Sequence, residues 1–320
     1  MSCTGHVCAR VLSKPVSAFF FWIILTTILP NFLRVQIPIG GIGADKDGYL
    51  HSSSLYQLNS EAVISNGLSN SDIVIVTAHP DDESMFFTPT ILELAKLNYN
   101  NNIHLLCFSN GNYDGLGEIR QREIVKAAGY LGISSVKVLN YEDNITKEWD
   151  QSDISTTLKE ELGKMPLTKE KLSLLTFDEQ GVSGHPNHRS LFHGVLHYMN
   201  SSSVKPAQFF KLKTWPIYEK YSSFFWVNFQ LIYRYLDKFG VADSIRSFVS
   251  QVTGNASAFK PADLDSSDSK INIFNDLNGW FVSLSTMAYA HFSQIVWYRW
   301  IWIFLSKYLN SNELVPVFIR

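Results

Sequence analysis

The chain has 320 residues, of which 18% are charged and 46% hydrophobic, and its formal net charge is −2. This length is sufficient for one large domain with a full core, and the composition excludes both a disordered chain and one fully embedded in a membrane. The small negative charge leaves no basic surface for phosphates, so we predict no nucleic-acid partner. Only Cys107 lies beyond the hydrophobic N-terminal stretch, which excludes a disulfide framework.

The N-terminal region contains a hydrophobic run. Residues 16–29 are uncharged and mostly apolar, and the run continues with one interruption to Leu33. A membrane-spanning helix needs about 17 to 25 residues, so we predict a single-pass anchor near residues 16–33. A cleaved signal peptide is the alternative, because Arg10 and Lys14 precede the run. No small-residue cleavage site follows closely, and this favours the anchor.

The rest of the chain alternates between strand and helix patterns. We predict strands at 73–77, 103–108, 136–139 and 172–177 and helices at 83–97, 118–131, 152–164 and 186–199. Such alternation produces right-handed crossovers, so the predicted fold is α/β, a Rossmann-like three-layer domain with a mostly parallel sheet. The predicted organisation is a tail and anchor (1–35), a linker (36–71) and one domain (72–320). That domain includes an aromatic C-terminal extension from about residue 216.

Ligands of parallel sheets bind in the loops at the carboxyl ends of the strands. The first such loop carries His79 and Asp82, three residues apart across a tight turn, and a later one carries His188. Imidazole nitrogens and carboxylate oxygens are zinc ligands, and three of them leave one coordination position for a reactive water. Either histidine alone is more often a capping or core residue. Their occurrence at two strand ends favours a metal site.

Two further polar residues in these loops suggest catalytic roles. Asp81 adjoins a metal ligand without being needed as one, and a carboxylate beside an activated water is a candidate general base. His185, in the opposite loop, is a candidate for stabilising an oxyanion and protonating a leaving amine. Phosphate-binding glycine loops are absent from the sequence, so we predict no nucleotide cofactor.

Three motifs, taken in order, resemble the LmbE-like/PIG-L family of zinc N-deacetylases, and its PIG-L branch most closely. They are AHPDDE at 78–83, SNGNYDGLGEIRQRE at 109–123 and TFDEQGVSGHPNH at 176–188. A C-terminal patch with His291, Gln294 and Arg299 also fits the resemblance. The family implies Zn²⁺ on His79, Asp82 and His188, with Asp81 as base and His185 as the acid or oxyanion-stabilising group. The same ligands could bind another divalent metal.

The middle motif suggests contacts with the substrate. Its candidate substrate-binding residues are Asn110, Gly111, Asp114, Arg120 and Glu123. Arg120 could hold a phosphate through its guanidinium group, or it could pair with Glu123 one helical turn away. Asp178 and Glu179 could orient a metal-bound histidine or only cap a turn.

The C-terminal half is rich in aromatic residues, particularly around 224–235 and 296–305. Aromatic side chains interspersed with arginine are typical of a membrane interface, although a helix packed on the sheet explains 283–307 equally well. We predict that part of this surface contacts the bilayer. The resemblance implies an endoplasmic reticulum membrane protein with a cytosolic catalytic domain.

The resemblance also implies the reaction. It is hydrolysis of the N-acetyl group of N-acetylglucosaminyl-phosphatidylinositol, which gives acetate and glucosaminyl-phosphatidylinositol in the synthesis of glycosylphosphatidylinositol (GPI) anchors. The predicted partners are therefore a glycolipid substrate and a membrane bilayer. The alternatives are a deacetylase of another N-acetyl sugar and a catalytically silent membrane scaffold with the same fold.

Overall fold

The computed structural model describes residues 35–38, 49–52, 54–201, 207–223, 225–227 and 270–318, and single positions at 17, 21, 230, 244, 247 and 251. The predicted anchor near residues 16–33 lies outside these ranges apart from positions 17 and 21. Within the described part of the chain, no helix is both long and apolar enough to cross a membrane.

A seven-stranded sheet organises the described domain. Its strands are β3 (Ser71–Thr77), β4 (Asn102–Cys107), β5 (Ser135–Val138), β6 (Lys171–Phe177), β7 (Ala207–Leu212), β8 (Ile271–Phe274) and β9 (Ser311–Pro316). Their order is β5-β4-β3-β6-β7-β9-β8, and the first five strands are parallel. β9 runs antiparallel to both of its neighbours. A separate antiparallel pair is formed by β1 (Val35–Pro38) and β2 (Tyr49–Ser52).

The helices connect the strands. They are α1 (Ser54–Ser65), α2 (Asp82–Met85), α3 (Thr88–Leu94), α4 (Gly117–Leu131), α5 (Gln151–Lys164), α6 (Gly181–Gly184), α7 (Pro186–Ser201), α8 (Ile217–Lys220), α9 (Leu277–Ser285) and α10 (Trp297–Leu305). A π-helical turn, Thr286–Ala290, extends α9, and short 3₁₀ turns occupy Leu97–Tyr99, Asn112–Asp114, Phe292–Gln294 and Lys307–Leu309. The predicted mostly parallel α/β fold is confirmed.

Central strands β3 and β6 lie side by side in the core. All seven residues of β3 are buried, as expected for a strand covered on both faces. The register pairs Ile73 with Ser173 and Ile75 with Leu175, so both strands end at the same edge of the sheet. The loops that follow β3 and β6 therefore meet at that edge.

Two regions differ from the sequence predictions. The helix predicted at 83–97 is divided into α2 and α3, because Pro89 in the first turn of α3 lacks the N–H that a continuous helix requires. The range predicted as a linker, 36–71, contains α1, whose Val63 is fully buried. Its Asn59 donates hydrogen bonds to Glu93 and to the backbone of Phe274. This part of the chain therefore packs on the domain.

Candidate active site

The three predicted metal ligands converge at the edge of the sheet where β3 and β6 end. His79, Asp82 and His188 are all buried, and each offers a ligand atom within 4.8 Å of the other two. Nε2 of His188 lies 3.3 Å from Oδ1 of Asp82, and Nδ1 of His79 lies 3.9 Å from Oδ2. Two imidazoles and one carboxylate with this clustering fit a divalent transition metal, zinc included.

Neighbouring groups fix how each ligand points. Oδ2 of Asp82 accepts the backbone N–H groups of Ala78 and His79, at 2.9 and 2.8 Å. Nδ1 of His188 contacts the carbonyl oxygen of Gly181 at 3.1 Å, which leaves Nε2 facing Asp82. The His188 ring also stacks on Phe177, with ring centroids 4.1 Å apart. Such outer contacts set the orientation and tautomer of metal-binding histidines.

Gly181 allows the loop to approach His188 closely. Its φ of +60° is unfavourable for residues with a side chain, and a Cβ atom there would lie 2.7 Å from Cβ of His188. The next residue, Val182, also has a positive φ of 62°. A branched residue rarely adopts this conformation, so the loop after β6 is strained next to the candidate ligands.

Asp143, which lies beyond the end of β5, orients His79 from the other side. Its Oδ1 is 3.2 Å from Nε2 of His79, and Oδ1 of Asn187 is also 3.2 Å from that nitrogen. The carboxylate of Asp143 also faces the guanidinium of Arg120, 3.6 Å from Nη1. A carboxylate behind a metal-binding imidazole is a common arrangement at metal sites.

The pKa values of the ligands reflect mutual attraction in a buried site. Burial alone would raise the pKa of Asp82, but the charges of His188 and His79 and their hydrogen bonds lower it. Burial would lower the pKa of His79, but its bond to Asp143 and the charges of Asp82 and Asp143 raise it. The carboxylate of Asp82 is therefore ionised, which is the form that binds a cation.

Asp81 lies beside the ligand cluster in an unusual backbone conformation. It is buried, with φ 130° and ψ −23°. Nη2 of Arg299 donates to its Oδ2 at 2.9 Å, and Nη2 of Arg120 is 3.8 Å from Oδ1. The conformation costs about 1–3 kcal/mol and persists only because its surroundings enforce it. This places a carboxylate, held by an arginine, at the wall of the candidate site.

His185 faces the cluster from the loop after β6. Its ring centroid lies 4.8 Å from that of His79 and 5.0 Å from that of His188. Nδ1 accepts the backbone N–H of Asn187 at 3.2 Å, so the neutral ring carries its proton on Nε2. Burial and the charges of His188 and His79 lower its pKa to about 4. His185 is therefore a neutral hydrogen-bond donor at pH 7.

These residues line one open cavity of about 400 Å³. The catalytic candidates and the candidate metal ligands are among its lining residues. Around them are the apolar and aromatic side chains of Tyr113, Ile145, Tyr221, Tyr298 and Trp302, together with Lys220 and Arg299. The cavity is therefore large enough for a sugar and carries both apolar and cationic groups at its wall.

The predicted substrate contacts have different positions in the structure. Asp114 and Arg120 line the cavity. Arg120 donates to the backbone oxygens of Gly111 and Pro80, each at 2.9 Å. Asn110 donates to Asn140, and Glu123 binds the segment around Ser293 rather than pairing with Arg120. All five assignments as substrate-binding residues stay predictions.

Asp178 and Glu179 hold the loop, and among the described residues neither forms a hydrogen bond or an ion pair with a histidine. Asp178 accepts backbone N–H groups from Gln180, Gly181 and Thr214. Glu179 forms an ion pair with Lys211. The structure thus supports the turn-capping alternative for Asp178, whereas Glu179 is held by a lysine of β7.

Comparison with known proteins identifies the family of this chain. The family profile described as "PIG-L: GlcNAc-PI de-N-acetylase" matches residues 74–199. A Schizosaccharomyces pombe protein named "Probable N-acetylglucosaminyl-phosphatidylinositol de-N-acetylase" is 33% identical over 252 residues, which cover 77% of this chain and 87% of the relative. The chain belongs to the PIG-L family. The resemblance found in the sequence motifs is confirmed.

Other members and one solved structure extend the comparison. The Saccharomyces cerevisiae N-acetylglucosaminyl-phosphatidylinositol de-N-acetylase is 30% identical over 260 residues, with 76% of this chain and 80% of the relative covered. The N,N'-diacetylchitobiose deacetylase of Pyrococcus horikoshii aligns with a TM-score of 0.44 and 14% identity, over 77% of this chain and 83% of that one.

Sequence reasoning missed several residues of this PIG-L site. Asp143 follows a predicted strand, so the rule that ligands lie at strand ends could have found it. The sequence motifs include His291 and Arg299 in the C-terminal patch but predict no function for either residue. They lie outside the 74–199 range of the family profile and far from the other site residues in sequence, and no spacing rule links them to the loop after β3.

Proposed function

We propose that this chain hydrolyses the N-acetyl group of N-acetylglucosaminyl-phosphatidylinositol during GPI anchor synthesis. The products are acetate and glucosaminyl-phosphatidylinositol. The observation that carries the proposal is the convergence of His79, Asp82 and His188 next to Asp81 in one cavity. The names of the relatives supply the substrate.

His79, Asp82 and His188 would hold the metal ion, which we propose to be zinc. Iron or manganese is compatible with the same donors. An ion held there would supply Lewis-acid chemistry for the acetamide carbonyl and the attacking water. Gly181 and Asp143 keep the two imidazoles oriented for this task.

Asp81 transfers protons in the proposed reaction, and His185 stabilises the oxyanion. Asp81 takes a proton from the attacking water and returns it to the departing sugar nitrogen. His185 donates its Nε2–H to the acetyl oxygen as negative charge develops there. Of the two roles that the family implies for His185, the lowered pKa favours oxyanion stabilisation.

Substitution of the two adjacent aspartates tests these roles. Asp82→Ala should abolish metal binding and acetate release together, because it removes one of three ligands. Asp81→Asn should retain the metal but reduce turnover by about 10²–10⁴-fold, the usual contribution of a general base. Metal content and acetate release from the glycolipid are measured on both purified variants. Full activity of Asp81→Asn would disprove its role as base, and a fully metal-loaded Asp82→Ala would disprove the ligand set.

A bilayer partner is supported by the exposed aromatic face of α10. Trp297 is 76% exposed and Phe304 54%, while Tyr298, Arg299 and Trp302 of the same helix line the cavity. One helix therefore carries both exposed aromatic side chains and cavity-lining residues, as expected if a lipid headgroup enters the cavity from a bilayer that this helix contacts. We expect the chain without residues 1–34 still to bind vesicles. A fully soluble remainder would contradict this contact.

We further propose that the chain lies in the endoplasmic reticulum membrane, anchored near residues 16–33, with its catalytic domain in the cytosol. Asn144, Asn200 and Asn255 begin glycosylation sequons, which are modified only in the lumen. Mass spectrometry of the chain from a eukaryotic host should find all three unmodified. A glycan on Asn144 would reverse the proposed topology.

A further inference from the structure

The backbone of Asp81 is held by a carboxylate from its own loop. The N–H of Asp81 donates to Oε2 of Glu83 at 3.2 Å, and its carbonyl oxygen accepts the N–H groups of Ser84 and Met85 at 3.0 and 2.7 Å. With φ at 130°, the conformation depends on these contacts. Any group that fixes Glu83 therefore helps to fix Asp81.

Glu83 is fixed by a residue from the C-terminal part of the chain. Nε2 of His291 lies 2.5 Å from Oε1 of Glu83, and both side chains are fully buried. His291 stands at the end of the π-helical turn, 208 residues after Glu83. A buried, hydrogen-bonded pair of this kind is costly to break, so it holds the two segments together.

A second carboxylate fixes the residues that follow His291. Glu123 in α4 accepts the backbone N–H and the hydroxyl of Ser293, both at 2.7 Å, and the side-chain amide of Gln294 at 3.2 Å. The same helix carries Arg120, which lies against Asp81 and Asp143. The segment 291–299 is thus bound to Glu83 and to Glu123 at its N-terminal end, ahead of Arg299.

At the start of α10, Arg299 contacts the loop after β3 directly. Its Nη2 donates to Oδ2 of Asp81 at 2.9 Å, and its Nη1 contacts the sulfur of Met85. The other oxygen of Asp81, Oδ1, has its nearest cationic partner, Arg120, at 3.8 Å, beyond hydrogen-bonding distance. Among the described residues, Oδ2 therefore accepts a hydrogen bond from Arg299 and Oδ1 accepts none from Arg120, so Oδ1 is the oxygen that can take up a proton.

We propose that Arg299 is a positioning residue for the base Asp81, and that segment 291–299 is the clamp that brings it there. The inference rests on the proposed function, because it assumes that Asp81 acts as a base. Arg299 holds Oδ2, so that Oδ1 is the oxygen that takes the proton from water. The C-terminal segment is therefore part of the active site, although it lies outside the range of the family profile.

Kinetics of the full chain on the glycolipid in mixed micelles test the proposal. Arg299→Met should lower kcat by about 10²-fold, the cost of misplacing a catalytic group by about 1 Å, and should leave KM and bound metal unchanged. Arg299→Lys should recover part of kcat, because an ammonium can still contact Oδ2. Arg122→Met is the matched control, since Arg122 is exposed on α4 and contacts only the backbone of Glu118 among the described residues.

The double variant Asp81→Asn/Arg299→Met is decisive. If Arg299 acts through Asp81, the double variant should be no slower than Asp81→Asn alone, because residues that act as a unit are not additive. If the fold-reductions in kcat of the two single variants multiply in the double variant, or if Arg299→Met raises KM and leaves kcat unchanged, Arg299 binds the substrate itself. Either result would overturn the proposal. So would an unchanged kcat in Arg299→Met.

Two controls keep the result interpretable. If Arg299→Met does not fold, the Arg299→Lys variant and its combination with Asp81→Asn replace it in the same comparison. If the wild-type chain, loaded with metal, releases no acetate from the glycolipid, the proposed function fails rather than the role of Arg299. Wild-type turnover is therefore measured first.

Discussion

Asp81 places a buried carboxylate on a backbone conformation that residues with side chains rarely adopt, with φ 130° and ψ −23°. Strain of this kind is maintained at functional sites at the expense of stability. Because glycine adopts positive φ readily, we expect Asp81→Gly to be more stable than Asp81→Ala by about 1 kcal/mol. Both variants lack the carboxylate, so the difference between their stabilities reports the cost of the backbone conformation at position 81.

Thermal unfolding of the two variants measures this difference. An increase of about 2 °C or more in Tm for Asp81→Gly over Asp81→Ala is the expected result. Both variants should lack activity. Equal melting temperatures would mean that the backbone relaxes without cost and that Asp81 is not strained.

The sequence was sufficient to predict His79, Asp82 and His188 because each follows a recognisable buried strand. Parallel strands bring their carboxyl ends together, so residues at two strand ends become neighbours in space. Arg299 and His291 reach the site through a helix and a π-helical turn near the C-terminus. Their approach depends on packing between distant segments, which local patterns do not encode.

At the scale of elements, Asp72 ties together the starts of several strands. Burial alone would raise its pKa, but hydrogen bonds from Asn102, the backbone of Lys169 and His104 lower it. A lowered pKa contributes stability above the unfolded value of about 3.9, and this contribution is lost as the pH falls through the folded value. Asp72→Asn should therefore melt below wild type at pH 7. The difference in Tm between wild type and this variant should become smaller below about pH 4. A difference that does not depend on pH would show that the ionised Asp72 carboxylate is not its cause.

Close packing of α5 against α7 depends on a glycine. A Cβ atom at Gly194 would lie 2.3 Å from Cγ2 of Ile154, whose branched side chain has little freedom to move. Gly194→Ala should destabilise the domain by about 1–3 kcal/mol despite the better helix propensity of alanine. Gly129 in α4 has no atom within 4 Å of such a Cβ, so Gly129→Ala is the control and should gain up to about 1 kcal/mol. The free energy of unfolding of both variants is measured by chemical denaturation. Equal changes in the two variants would show that the packing of α5 against α7 does not require glycine at position 194.

Sequence reasoning missed β9, and its residues show why. β9 contains Asn312 and Glu313, which are polar although they are buried. The sequence of β9 therefore lacks the run of apolar residues by which a buried strand is predicted. Asn312 is satisfied by Phe86 and Thr90, and Glu313 by Lys213 and Lys270. These partners lie far away in the sequence. By contrast, the β-branched run of β3 was recognisable by itself.

At the scale of the whole molecule, three distant parts of the chain build one site. The residues after β3 supply two candidate ligands and the proposed base, the residues after β6 supply His185 and, in the first turn of α7, the third candidate ligand, and the segment before and within α10 contacts the proposed base. The exposed aromatic residues of α10 belong to the same helix as Tyr298, Arg299 and Trp302, which line the cavity. Catalysis and membrane contact are therefore expected to involve one connected face.

Metal-dependent acetate release from N-acetylglucosaminyl-phosphatidylinositol tests the central claim most directly. The full-length chain is assayed as purified, after removal of metal by a chelator and after addition of Zn²⁺, with Asp82→Ala in parallel. We predict that chelation stops acetate release, that Zn²⁺ restores it in the wild type and that Asp82→Ala remains inactive throughout. Undiminished release from a chain shown to contain no metal, or no release from the zinc-loaded wild type, would contradict the account.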